Sequence, residues 1–290
     1  MPTAAPMDEH RQKLTEAPAR KALGQHFLFD PDILRRTALA AGPVKGRTVV
    51  EVGPGPGGLT RALLEAGAAK VIAVEADTRF AEALRLWPYA ISGRLYVHES
   101  DARKVDWQGL IGAAGGSAPA MIVANLPYNV GTPLLIDWLK ARAWRGEMAL
   151  MFQKEVAERV CAAPGEKHYG RLAVLTGAVA TPHIAFTMPP AAFRPPPKVD
   201  SAVVVLEPLS DVHRFKDLET LEKITSAAFG QRRKMLRASL KIYAKQSGLD
   251  IAEWLNSAGI NPEARAETID QSGWRRLTTA AVRAGDPTES

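Results

Sequence analysis

Between residues 47 and 125, short β-branched runs take turns with stretches of helical period: RTVVEVG, LTRALLEAG, KVIAVEA, RFAEALRLW, RLYVHESD and AMIVANLP. Strands separated by one helix each are joined by right-handed crossovers and lie parallel, which makes this an α/β chain. EMALMFQ supplies a fifth strand and YGRLAVLTGAVA another helix. HIAFTM and SAVVVLEP are strands separated only by the turn-rich PPAAFRPPPKVD, so the sheet is expected to finish antiparallel. After about residue 208 the strand signal ends. DLETLEKITSAAFG, RRKMLRASLKIYAK, DIAEWLNSAG and DQSGWRRLTTAAVRA are helical in period, with Gly230, Gly248 and Gly259 placed as C-caps. The expected plan is a tail over 1–20, a mostly parallel α/β domain over 21–208 and a small all-α domain over 209–290. The tail mixes acidic and basic groups and has no apolar run of the kind a secretory signal needs.

Composition narrows the function classes. Cys161 stands alone and the six His are scattered, so neither a disulfide framework nor metal-ligand spacing is present. No run of about 18 apolar residues occurs, and a soluble, cytoplasmic protein without membrane association is expected. The formal charge of +6 is modest for 290 residues, but it is unevenly spread: QRRKMLRASLKIYAK carries six basic residues and no acidic one. On one helix from Gln231 to Lys245, the residues Arg233, Lys234, Arg237, Lys241 and Lys245 would share a third of the circumference, beside an apolar arc of Leu236, Leu240 and Tyr243. A polyanionic partner is expected there, with Arg232 included.

VVEVGPGPGGLT sets Gly53, Gly55, Gly57 and Gly58 between the first strand and the helix that follows. Glycines permit a tight turn and close approach of a ligand, and the helix start favours a negative group. The spacing also satisfies a dinucleotide fingerprint, with Glu75 placed as a ribose-binding acid. Two further acids bear on the choice: Glu51 before the loop, and Asp101 at the end of the third strand, where a carboxylate can accept from an adenine amine. This series resembles S-adenosylmethionine-dependent methyltransferases more than nicotinamide dehydrogenases.

After the fourth strand comes NLPY. An amino group on adenine is a poor nucleophile because its lone pair is delocalised into the ring. The side-chain oxygen of Asn125 and the carbonyl of Leu126 can both accept its N–H groups, in bonds that strengthen as positive charge develops. Pro127 stiffens the turn. Tyr128 offers a face for a base drawn out of its stack, an interaction of roughly 1–3 kcal/mol.

Jointly, KALGQHFL, EVGPGPGGLT, Glu75, Asp101, NLPYNVGTP, MFQKEVAERV, YGRLAV, FRPPPKVDSAVV and FGQRRKMLRASL resemble the ribosomal RNA adenine dimethyltransferases, in particular the small-subunit enzymes, over residues 21 to about 275. The resemblance implies a Rossmann-like class I methyltransferase sheet. It also implies two adjacent N6,N6-dimethyladenosines in a 3′-terminal hairpin of small-subunit RNA as product, with S-adenosyl-L-methionine as cofactor. By resemblance, His26 and Leu28 join Gly53, Gly55, Glu75, Asp101 and Asn125 around the cofactor, with the opening segment as a lid, and Phe193 stacks on the base opposite Tyr128. The chain departs from the family at His26, often Asn, and at Gly131, often Ser. A large-subunit methyltransferase and a ribosome-assembly factor stay open as alternatives. The expected partner is small-subunit RNA or a pre-ribosomal particle, and the expected state a monomer.

Overall fold

The computed structural model describes residues 25–141 and 143–285. The tail expected over 1–20 lies outside them, as does the start of KALGQHFL. In chain order the elements are β1 (Phe27–Leu28), α1 (Pro31–Leu39), β2 (Thr48–Val52), α2 (Gly58–Glu65), β3 (Lys70–Glu75), α3 (Thr78–Arg85), α4 (Pro88–Ile91), β4 (Leu95–Glu99), α5 (Trp107–Ala113), β5 (Ala120–Asn125), α6 (Gly131–Lys140), β6 (Arg145–Gln153), α7 (Lys154–Cys161), α8 (Arg171–Gly177), β7 (Ala180–Met188), β8 (Phe193–Arg194) and β9 (Ser201–Pro208). Beyond them come α9 (Leu218–Gly230), α10 (Leu236–Ser239), α11 (Lys241–Gln246), α12 (Ile251–Ser257) and α13 (Gln271–Gly285).

Seven strands form one sheet in the order β4, β3, β2, β5, β6, β9, β7. The pairs β2 with β3, β3 with β4, β2 with β5 and β5 with β6 are parallel, and β9 runs antiparallel to β6. All five residues of β2 are buried, as the uninterrupted apolar run of a strand covered on both faces requires. From β2 the chain goes to β3 on one side and later reaches β5 on the other. That reversal opens a crevice at the carboxyl ends of the strands, where open α/β sheets bind ligands.

The chain divides into two compact units. Among the described residues, one takes in those up to Ala157 and His183–Glu207; the other takes in Glu158–Pro182 and those from Pro208 on. The stretch 158–182, which the sequence reading keeps with the sheet, thus counts with the helices. In this second unit α9 buries Leu218, Leu221, Ile224 and Ala228. The indole N–H of Trp254 donates to the Leu277 carbonyl at 2.9 Å, and Tyr169 Oη donates to the Ile269 carbonyl at 2.7 Å.

The single helix expected over Gln231–Lys245 is not formed. Residues 231–234 are turn and bend, Met235 is extended and bridges Arg265, and the amide N–H groups of Leu236 and Arg237 donate to the carbonyls of Ala264 and Pro262. Pairing with a segment thirty residues away competes with helix for these backbone groups and wins. From Leu236 on, the helical period survives: Leu236, Leu240 and Ala244 are buried, while Arg237, Lys241 and Lys245 are exposed. Gly248 and Gly259 have the left-handed φ of C-caps, at 70° and 63°. Gly230 instead closes α9 without it.

Candidate active site

Every strand end named in the sequence reading reaches one cavity of about 230 Å³ in the first unit, lined by Glu51, Gly53, Gly55, Glu75, Asp101 and Asn125. His26, Leu28, Leu126, Pro127 and Tyr128 complete the same wall. The floor is the loop from β2 to α2. Gly53 and Gly55 hold φ of 69° and 52°, which L side chains rarely adopt. At Gly55 a Cβ would lie 2.6 Å from the Phe27 ring, so what presses on this bare backbone is the chain's own opening strand.

Glu75, at the end of β3, is buried, and its two oxygens accept the backbone N–H groups of Gly55 and Asp77 at 2.9 and 2.8 Å. Burial raises its pKa. Each carboxylate oxygen can take a further hydrogen bond, the capacity two ribose hydroxyls require. Asp101 is the opposite case. Arg103 grips both of its oxygens, with Nη2 2.6 Å from Oδ2 and Nε 3.0 Å from Oδ1, and holds the carboxyl down at about 2. It stays an ionised acceptor at any physiological pH.

The loop after β5 is built around one amide. Asn125 Nδ2 donates to the His26 carbonyl at 2.9 Å. A carbonyl can only accept, so this bond identifies the nitrogen and leaves Oδ1 as the acceptor. The His26 ring in turn lies 5.3 Å from the Tyr128 ring at an interplanar angle of 30°. Its Nδ1 donates to the Pro195 carbonyl at 2.8 Å. Below, β1 pairs with β8, Leu28 opposite Phe193 and Phe27 opposite Arg194. The opening segment is therefore stitched both to the Asn125 loop and to the proline-rich turn.

Phe193, expected on the target base opposite Tyr128, does not line this cavity. Its ring is 2% exposed and packs in the core with Leu28, Leu34 and Met188, off the cavity wall. The pairing of β8 with β1 draws it inward, and the aromatic ring that the structure brings to Tyr128 is that of His26. Sequence reading also missed Asp77, Arg103 and Gln25. Asp77 caps α3, is held by Arg79 and accepts from Gln25 Nε2 at 3.3 Å, tying the opening segment to the end of β3. An Asp directly before a helix-period run was its available signal.

In the second unit Arg233, Lys234, Arg237 and Lys241 are exposed. Arg232 is half-buried, with Nε donating to Glu267 at 2.8 Å and Nη2 to the Lys167 carbonyl at 2.9 Å, so it braces the fold. Among the described residues no group of three or more His, Cys, Asp or Glu could hold a metal ion, and no helix is long and apolar enough to cross a membrane.

Glu51 is the most perturbed acid of the cavity. Desolvation raises its pKa from 4.5 to about 8, against the opposing bond from Thr60 Oγ1 at 2.6 Å. The folded protein keeps this proton in a pH range where the unfolded chain releases it. Raising the pH therefore favours unfolding between about 4.5 and about 8, with no further effect from this group above or below. In thermal melts without cofactor, Glu51→Gln is expected to flatten this slope, so the variant gains on the wild type as pH rises from 5.5 to 8. Parallel curves would contradict the assignment.

Residues 17–281 match the profile of a family described as Ribosomal RNA adenine dimethylase. The Ribosomal RNA small subunit methyltransferase A of Xanthobacter autotrophicus is 53% identical over 272 residues, covering 92% of this chain and 91% of that protein. Its counterpart in Maricaulis maris is 50% identical over 263 residues, 90% of each chain. A solved dimethyladenosine transferase from Plasmodium falciparum superposes with a TM-score of 0.71 at 26% identity, over 87% of this chain and 96% of that one. The 23S rRNA methyltransferase ErmE gives 0.64 at 25% identity, over 88% and 99%. With this match across nearly the whole chain and the site's acids at successive strand ends, the protein belongs to the ribosomal RNA adenine dimethylase family.

Proposed function

We propose that the protein methylates the exocyclic N6 of two adjacent adenosines, in a hairpin near the 3′ end of small-subunit ribosomal RNA, to N6,N6-dimethyladenosine. The observation that carries this reading is the Asn125 amide, whose nitrogen is engaged by the His26 carbonyl so that its oxygen remains to accept from an amine. Identity near 50% to proteins named for the small subunit, against 25% to a 23S enzyme, favours the small-subunit substrate over the large.

The cavity fits S-adenosyl-L-methionine. Glu75 offers acceptor capacity for ribose hydroxyls, Asp101 is an ionised acceptor for an adenine amine, and Gly53 and Gly55 keep the loop low beside them. His26 and Leu28 line the cavity from the opening segment. When bound, this cofactor supplies a methyl group already activated on a sulfonium and leaves as S-adenosyl-L-homocysteine.

The chain's own groups prepare the acceptor nitrogen. In the first transfer Asn125 Oδ1 and the Leu126 carbonyl accept its two N–H groups, and in the second one of them holds the single N–H that is left. These bonds draw the lone pair out of conjugation and strengthen as charge builds on nitrogen, and the proton displaced by each methyl passes to solvent. Pro127 keeps the turn from flexing, and the Tyr128 face receives the base. The remaining gain is positional, since well-oriented partners can reach effective molarities on the order of 10⁵–10⁸ M. The enzyme works as a monomer in the cytoplasm, on small-subunit RNA or its assembling particle, and contributes to subunit biogenesis.

Mass spectrometry of small-subunit RNA from cells lacking the protein is expected to find no dimethylated adenines. Wild-type protein should restore them. Asn125→Ala should fail to do so, with transfer slowed at least about 100-fold, the scale for losing one transition-state hydrogen bond. Dimethylated adenines persisting without the protein would overturn the reading.

The exposed cations of the second unit bind RNA phosphates. Replacing Arg233, Arg237 and Lys241 together with Ala should weaken RNA binding and reduce the slope of log affinity against log salt by about 2–3. An unchanged slope in a salt titration would refute this role.

A further inference from the structure

Tyr128 carries a group that stacking does not need. A Phe ring would present a base with a similar flat face, yet the Tyr128 hydroxyl lies 2.7 Å from Ser201 Oγ, 73 positions away in the chain. Ser201 is fully buried, and an interior hydroxyl is costly unless it is paired. Each of these two hydroxyls therefore accounts for the other.

The pair joins a rigid element to a loop. Ser201 opens β9, which is buried from Ser201 to Leu206 and in register with β6 from Gln153 back to Met148. Tyr128 stands beyond the end of β5, outside the sheet ladder, three residues after Asn125. A ring hinged only at its own Cα and Cβ would turn about two bonds. Tied at its far end to Ser201, it cannot swing about Cα–Cβ without breaking the bond, and rotation about Cβ–Cγ, which leaves the hydroxyl in place, is limited by the His26 ring 5.3 Å away. The segment just before Ser201 reaches the same ring from another direction, because the Pro195 carbonyl accepts from His26, whose ring faces Tyr128.

We infer that Ser201 is a positioning residue for methyl transfer: its hydroxyl fixes the Tyr128 ring so that a base lying on it presents its amine to Asn125 Oδ1 and the Leu126 carbonyl. This rests on the reading of Tyr128 as the platform for the target base. Ser201 acts through Tyr128 and is itself off the cavity wall.

The test uses full-length Ser201→Ala, Tyr128→Phe and the double variant, with small ribosomal subunits lacking the dimethyladenosines as substrate. Rates are measured at saturating RNA, cofactor affinity by calorimetry and Tm by melting. Each single variant is expected to lower kcat about 3- to 10-fold, on the scale of one hydrogen bond. Cofactor affinity should stay within about twofold, since the bond touches no cofactor group. The double variant should be no slower than either single, because either change removes the same bond. Wild-type kcat in both singles, a double loss equal to the product of the single losses, or an activity loss that disappears once rates are compared at equal distance below each Tm would overturn the inference alone. A wild-type protein that binds cofactor but transfers nothing to the RNA would overturn the functional reading and this inference with it.

Discussion

One hydrogen bond organises the reacting end of this molecule: the Asn125 side-chain nitrogen donating to the His26 backbone carbonyl. An amide can rotate to offer either end, and a group that must accept hydrogen bonds cannot work with the wrong end forward. Here the choice is made by a backbone carbonyl 99 residues earlier in the chain, brought into place because β1 pairs with β8 and His26 bonds to Pro195. The opening segment thus lines the cavity and also holds the Asn125 amide, which on the proposed mechanism is what orients the acceptor. Removing it would change the chemistry as well as the exposure of the site.

Around that amide the acids are prepared differently by their surroundings. Asp101 is kept ionised by a two-pronged Arg103, Glu75 is buried but carries two backbone N–H bonds, and Glu51 lies deep enough to hold its proton near neutrality. Three carboxyls on one cavity would repel if all were charged, and at Glu51 the nearby Glu75 adds to the upward push of burial. A neutral Glu51, paired with Thr60, lets the loop stay close without a third full charge.

The strands were legible because short β-branched runs alternated with stretches of helical period, and the strand-end positions of Glu75, Asp101 and Asn125 followed from that. Gly53 and Gly55 were legible too, since their left-handed φ is what such a loop demands. What stayed hidden depends on partners far along the chain. Ser201 looks like an ordinary strand residue until Tyr128 reaches it, and Gln25 has no visible role until it meets Asp77. Met235 bridging Arg265 broke a stretch that is helical by period, and the pairing of Leu28 with Phe193 buried a ring expected at the base. Local pattern carries no information about such pairings, which only the assembled sheet and helices decide.

The central claim is that the Asn125 oxygen, not its nitrogen, faces the target amine. A crystal structure of the protein with S-adenosyl-L-homocysteine and an RNA hairpin bearing the target adenosines tests it most directly. The account predicts adenine N6 about 3 Å from both Asn125 Oδ1 and the Leu126 carbonyl, with Nδ2 still on the His26 carbonyl. An adenine that meets Asn125 through its nitrogen, or that lies away from the loop after β5, would contradict it.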